Sequence, residues 1–216
     1  MTLAKNLILD IDGVLIRNKP LLNHVKENCV KYVKSHFPCC KNPEQTNDAL
    51  YLSAGHTGAG LTKVFNIDTS DFNKRVYDKY LIEHLHEVIY NSEFQSDAKK
   101  IYDLTSKGWE LSLFTNAPYE WAHPVALALG DSVNINCPGE YKPKKAAYDV
   151  FKKHHFKIFV DDSLKNLATV RWTKYWTPVF YNETNQVEDW CHSVYSIDDI
   201  CKYVNKVDEN FYNSIN

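Results

Sequence analysis

Arginine is nearly absent: Arg17, Arg75 and Arg171 are the only three among 25 basic residues, the rest being lysine. Methionine occurs once and glycine seven times in 216 residues, which excludes collagen-like and glycine-rich low-complexity chains. No apolar run approaches the roughly 18 residues of a membrane-spanning helix, so no membrane partner is expected. A basic excess is also missing. Lys+Arg is 25 against 27 Asp+Glu, a formal net charge of -2, and so no stable nucleic-acid partner is expected. The six cysteines, Cys29, Cys39, Cys40, Cys137, Cys191 and Cys201, include no C-x-x-C pair, and the vicinal Cys39-Cys40 suits neither zinc nor a disulfide framework. Met1–Leu9 is too short and too soon followed by acids to read as a signal peptide. The expectation is therefore a soluble, cytoplasmic protein with reduced thiols.

What the chain does contain is an ordinary globular composition, 44% hydrophobic and 24% charged. Short apolar runs recur, bounded by polar residues: Asn6 to Leu9, Leu111 to Phe114, Val133 to Cys137, Ile158 to Val160 and Pro178 to Tyr181. Continuous apolar runs of this length predict strands covered on both faces, as in a parallel sheet. Helical patterns lie between them, over Ser96–Ser106 with Ser96 as N-cap, Pro118–Leu129, Lys144–His154 and Ser163–Trp172. Ser196–Tyr212 reads as a closing helix. Alternation of this kind predicts an α/β fold, a Rossmann-like doubly wound parallel sheet. One stretch breaks the pattern. Pro20 to Ser92 holds no convincing strand but several helical segments (Leu22–His36, Glu44–Leu52, Leu61–Phe65 and Phe72–Leu85), too much for a crossover. The predicted organisation is a core of residues 1–17 and 93–216 with a small α-helical cap, 18–92, inserted.

In an open α/β sheet, ligands bind beyond the carboxyl ends of the strands. Those ends carry Asp10 and Asp12 after the first run, Thr115-Asn116 after the second, and Asp161-Asp162 after the fourth; Lys142 lies on the loop after the third. Several carboxylates around one point need a compensating cation, and oxygen ligands suit Mg²⁺. An aspartate can act as a nucleophile toward phosphorus, while a second carboxylate two residues on protonates the leaving oxygen and later activates water. A hydroxyl, backbone N–H groups and an ammonium would neutralise the transferring phosphoryl group.

These residues resemble the four motifs of the haloacid dehalogenase superfamily of phosphohydrolases: DIDGVL at 10–15, LFTNAP at 113–118, YKPKKAAY at 141–148 and FVDDSLKN at 159–166. All four occur in the family's order, and the insert falls where the family places one type of mobile cap. The resemblance implies Asp10 as nucleophile and metal ligand, and Asp12 as general acid/base with its backbone carbonyl on the metal. It implies Thr115 and Asn116 as phosphate-binding residues and Lys142 as the lysine orienting nucleophile and phosphate. Asp162 would be the principal acidic metal ligand of the fourth motif, Asp161 its neighbour at the metal, and Asn166 a supporting residue. Asp12 favours phosphate-ester chemistry over dehalogenation, because the dehalogenase branch does not use that acid.

A looser likeness, through LFTNA, VDDSxKN and the glycines Gly55, Gly58 and Gly60 of the insert, is to the pyrimidine 5′-nucleotidase-like branch. The implied activity is a Mg²⁺-dependent phosphomonoester hydrolase. Nucleoside monophosphates are the first substrate class, and the partner is a small phosphorylated molecule met by a monomer or homodimer. Alternatives are a phosphatase for sugar phosphates or for a nucleic-acid or protein phosphate, and a non-catalytic binding protein of the same fold. The Gly55–Gly60 turn is equally a helix connector or a substrate loop. His56 and Gly58 are the cap residues nominated to meet substrate, and Tyr51 or Phe65 could reach a nucleobase. The five tryptophans, Trp109, Trp121, Trp172, Trp176 and Trp190, read as core or cap-interface residues.

Overall fold

A computed structural model describes residues 4–137, 139–153, 156–184, 186 and 188–215. Six strands, β1 (Lys5–Leu9), β2 (Trp109–Phe114), β3 (Asn134–Asn136), β4 (Phe156–Asp161), β5 (Trp176–Tyr181) and β6 (His192–Val194), form one sheet in the order β3-β2-β1-β4-β5-β6. Every pairing is parallel. β1 is buried along its whole length because it lies between β2 and β4, with helices on both faces. β6 was not anticipated: three residues, one of them His192, give no apolar run to recognise.

The helices on the core are α6 (Ser92–Tyr102), α7 (Tyr119–Leu129), α8 (Leu164–Ala168) and α9 (Ile197–Ile215). Ser96, the expected N-cap, lies inside α6. The helix starts earlier because Asn91 accepts a hydrogen bond from the Phe94 N–H at 2.8 Å, and asparagine caps as well as serine. The expected helix over Lys144–His154 is instead a 3-10 helix over Lys145–Phe151, the tighter form common in short connectors. His154 and His155 lie outside the described residues. The expected Ser163–Trp172 helix ends at Ala168, and Trp172 is 84% exposed, so it belongs neither to the core nor to a cap interface.

Between β1 and α6 stand α1 (Lys19–His36), α2 (Pro43–Ala54), α3 (Thr57–Phe65), α4 (Thr69–Val76) and α5 (Lys79–Ile89). The single helix expected over Phe72–Leu85 is broken in two. Asp78 opens α5 by accepting from the Leu81 N–H, so the chain turns at Tyr77-Asp78. Tyr32, Val33, Leu50, Leu61, Phe72 and Val76 form an apolar cluster of their own within α1–α4. Leu81, Leu85 and Ile89 of α5 join the main core. At the exit from the core, Arg17 donates to Asp97 of α6 at 2.7 Å and to the Tyr181 hydroxyl at 2.8 Å, which pins the two ends of the insert together.

Because Phe72 is almost fully buried at the centre of the α1–α4 cluster, Phe72→Ala is expected to cost about 3–5 kcal/mol. Chemical denaturation followed by circular dichroism checks this; a loss under 1 kcal/mol would show that the cluster does not hold the insert together.

Candidate active site

Asp10 follows the last residue of β1 and is held in sheet register by its N–H, which donates to the Val160 carbonyl at 2.9 Å. Its Oδ1 accepts from the Ile11 N–H at 2.8 Å and lies 3.0 Å from the Lys142 ammonium. Lys142 is buried and reaches the far carboxylate as well, with Nζ 2.7 Å from Asp161 Oδ2. Its charge also sits over the faces of Phe114 and Phe159, at 5.2 and 5.7 Å from the ring centres. Burial alone would lower the Lys142 pKa, but Asp10 and Asp161 raise it above the ordinary lysine value, so the ammonium is firmly held.

The acids carry the opposite strain. Burial pushes the Asp10 carboxyl well above its ordinary range; Lys142 offsets part of this, while Asp161, Asp162 and Asp12 push it further up. Asp162 rises to about 7, from burial first and the charge of Asp161 second. Asp12 rises to about 6 through burial, against the stabilising hydrogen bond of Trp121 and the charge of Lys142. Several acids thus share one described cation, and the site is short of positive charge.

The donor set fits a hard cation. Carboxylate oxygens of Asp10, Asp161 and Asp162 lie within 4.8 Å of one another. Asp161, expected at the metal, belongs to this cluster and is also bonded within the site. Its Oδ1 accepts from the Ser163 N–H and from Asn166, and its Oδ2 accepts from Lys142 and Asn166. Asp10, Asp161 and the more exposed Asp162 are the carboxylates that could hold a cation, and Asp161 also fixes the lysine. Asn166 takes the supporting position, bonding both Asp161 oxygens. Gly13 has φ +84, and any Cβ there would collide with the Asp162 carboxylate; the turn needs glycine for both reasons.

Thr115, almost fully buried after β2, accepts the Ala117 N–H on Oγ1 at 3.0 Å, which leaves its own O–H free to donate into the cavity it lines. Asn116 was expected on phosphate, but its side chain is occupied. The amide donates to the carbonyls of Gly55 at 2.7 Å and Lys142 at 3.0 Å and accepts the Lys142 N–H at 2.8 Å. It is a clamp between the insert and the lysine loop. Gly55, left-handed at the end of α2, packs so tightly on the Lys142 carbonyl that no side chain fits.

These groups open on a cavity of ≈ 380 Å³. The insert supplies its roof, including Val25, Tyr51, His56, Phe72 and Tyr77. His56 does reach the cavity wall, as the N-cap of α3: Nδ1 accepts from the Ala59 N–H at 3.3 Å, and the ring stacks on Tyr141 at 4.8 Å. Its Nε2 is buried without a hydrogen-bond partner. Gly58 does not line the cavity. It lies within α3, pressed against Phe72, and is a packing residue, whereas Gly55 lines the cavity. Tyr51 lines the cavity, while Phe65 lies outside it, its ring tilted against Phe37. The residue that sequence reading passed over is Trp121 of α7, fully buried, whose indole Nε1 donates to Asp12 Oδ1 at 2.9 Å.

The chain shares its fold with solved structures of the haloacid dehalogenase superfamily. A HAD phosphatase from Thermococcus onnurineus superposes with a TM-score of 0.58 at 15% identity, over 93% of this chain and 97% of that one. The HAD-hydrolase YfnB from Bacillus subtilis, bound to magnesium, gives 0.57 at 11% identity over 95% and 100%. L-2-haloacid dehalogenase from Xanthobacter autotrophicus gives 0.52 at 9% identity over 94% and 98%. No protein-family model matches the sequence, and no curated protein does. The likeness is one of fold: a six-stranded parallel α/β sheet of the haloacid dehalogenase type with a helical insert after β1.

Burial holds His56 neutral, with a pKa lowered to about 4 from 6.5. The unfolded chain takes up this proton below about pH 6.5 and the folded chain does not, so stability is lost as pH falls from 6.5 toward 4. The loss from this residue approaches about 1.4 kcal/mol per pH unit. Denaturant melts of wild type and His56→Gln over this window should give stability differences that narrow as the pH falls. Parallel curves would show that His56 titrates normally.

Proposed function

We propose that the protein is a Mg²⁺-dependent phosphomonoester hydrolase of small phosphate esters, with nucleoside monophosphates first among them and sugar phosphates second. The observation that carries this is Asp12: a second acid, held by the Trp121 indole, lines the same cavity as the nucleophile candidate Asp10. Halide leaves as a stable anion and needs no proton, whereas an alkoxide does, so a second carboxyl in the cavity suits an ester. The cavity volume lies at the small end of small-molecule sites, about 300–1,000 Å³, which favours a compact ester over a macromolecular end.

In this reading the phosphoryl group sits between Thr115 and Lys142, whose donors meet its oxygens. Asp10 attacks phosphorus as the bond to the leaving oxygen breaks, and the Asp12 carboxyl delivers its proton to that oxygen, giving the free alcohol. Asp12, now a carboxylate, takes a proton from water, which attacks the Asp10-bound phosphoryl group and releases inorganic phosphate with Asp10 restored. Asp10, Asp162 and the Asp12 backbone carbonyl would hold Mg²⁺, which supplies the positive charge that Lys142 alone does not. The insert roofs the cavity, excluding bulk water and contacting the leaving group.

Phosphate release from nucleoside monophosphates, sugar phosphates and 4-nitrophenyl phosphate tests the reading. Turnover should require Mg²⁺, stop with chelator, and fall about 10³-fold or more in Asp10→Asn. Folded wild type with Mg²⁺ that turns over no faster than Asp10→Asn overturns it. Binding has its own readout: Mg²⁺ at a hundred times its Kd should stabilise the wild type by about 2.7 kcal/mol, and Asp162→Asn should lose that shift.

A further inference from the structure

We propose that Trp121 is a positioning residue for the general acid, holding the Asp12 carboxyl so that one oxygen is fixed and the other serves the leaving group. The inference rests on the phosphomonoesterase reading and adds a residue to it. Buried indole N–H groups normally find a partner, and here the partner is the Asp12 carboxyl: Nε1 donates to Oδ1 at 2.9 Å. Among the described residues it is the one side-chain or backbone donor on that carboxylate, so nothing else sets its rotation. The remaining oxygen, Oδ2, is left for the cavity that Asp12 lines.

Trp121 is well suited to hold a direction. It is fully buried in the main core, on the helix that follows Thr115, and therefore moves with the phosphate-binding turn. On its other side the ring of Tyr77 meets it edge-on, with centroids 5.3 Å apart at 63°. Tyr77 stands at the break between α4 and α5, so the indole is clamped between the core and the insert. A tryptophan needed only for packing would not require its N–H aimed at a carboxylate beside the nucleophile. A general acid contributes about 10²–10⁴ to rate, and misdirecting it forfeits part of that factor.

The effect depends on the leaving group. An alkyl alkoxide needs the proton of Asp12 as the bond to phosphorus breaks; 4-nitrophenolate departs without it. The probes are 2-phenylethyl phosphate and 4-nitrophenyl phosphate, compared by kcat/KM, which reports the step that releases the alcohol. In Trp121→Phe, which keeps an aromatic ring but removes the donor, the ratio of alkyl to aryl kcat/KM should fall about tenfold or more. An unchanged ratio, with both esters slowed equally, would show a packing role and overturn the proposal. Trp121→Met, flexible and also without a donor, provides the same ratio if the phenylalanine variant does not fold. A wild type inert toward both esters would sink the phosphomonoesterase reading itself, a result separable from any property of Trp121.

Discussion

One buried ammonium organises this molecule. Lys142 lies between Asp10 at 3.0 Å and Asp161 at 2.7 Å, with aromatic faces beneath it and almost no exposure to solvent. Taking such charges out of water is costly, and the arrangement persists only because each group has partners. Asn166 and the Ser163 N–H satisfy Asp161; Asn116 satisfies the Lys142 backbone; and Thr169 donates to the Pro143 carbonyl on the same loop at 3.0 Å. Removing one member of such a pair typically costs about 3–5 kcal/mol, because the other charge is left buried alone. The lysine nevertheless balances only part of the negative charge. Burial first, and for Asp10 and Asp162 the neighbouring acids as well, disfavours the charged carboxylates, and a divalent cation is the natural remedy.

The core was legible because parallel strands announce themselves twice. Leu7 to Leu9 and Ile158 to Val160 are uninterrupted apolar runs, Leu111 to Phe114 is broken by Ser112 alone, and each is followed by a polar residue at the sheet's carboxyl edge. With β1 between β2 and β4, Asp10, Thr115 and Asp161 fall side by side without further information. Their division of labour was less legible. Whether Asp161 or Asp162 meets a cation depends on which faces the cavity, and adjacent residues at a strand end point in opposite directions. The motif singles out Asp162 as the principal acid and sets Asp161 beside it. That Asp161 is tied to Lys142 and Asn166, while Asp162 is the more exposed, is read only from the structure.

The insert was read correctly as helical but poorly as a surface. The Gly55–Gly60 stretch read equally as a helix connector or a substrate loop; Gly58 and Gly60 lie in α3, where they let Phe72 and the Leu50 carbonyl approach. Gly55 is the glycine that touches the site. Its requirement comes from a residue 87 positions later in the chain, the carbonyl of Lys142, which no local pattern can reveal. Trp121 was missed for a related reason. Its burial was foreseen, but a buried tryptophan carries a donor as well as a surface, and asking where that N–H goes leads directly to Asp12.

At the end of α2, two hydrogen bonds tie the insert to the core. Asn116 donates to the Gly55 carbonyl and, near the mouth, Lys165 donates to the Leu52 carbonyl at 3.0 Å. Each such bond contributes about 0.5–1.5 kcal/mol net, so together they favour the covered arrangement by a few kcal/mol at most. The tie at Gly55 also bears on the lysine, because the same Asn116 amide grips the Lys142 carbonyl. A roof that lifts away from Gly55 would leave Asn116 still holding the lysine loop, and the charge arrangement beneath would survive. The fold thereby separates a cross-braced set of charges on the strand ends from the cover above them, which is fastened to the core mainly by the apolar packing of α1 and α5.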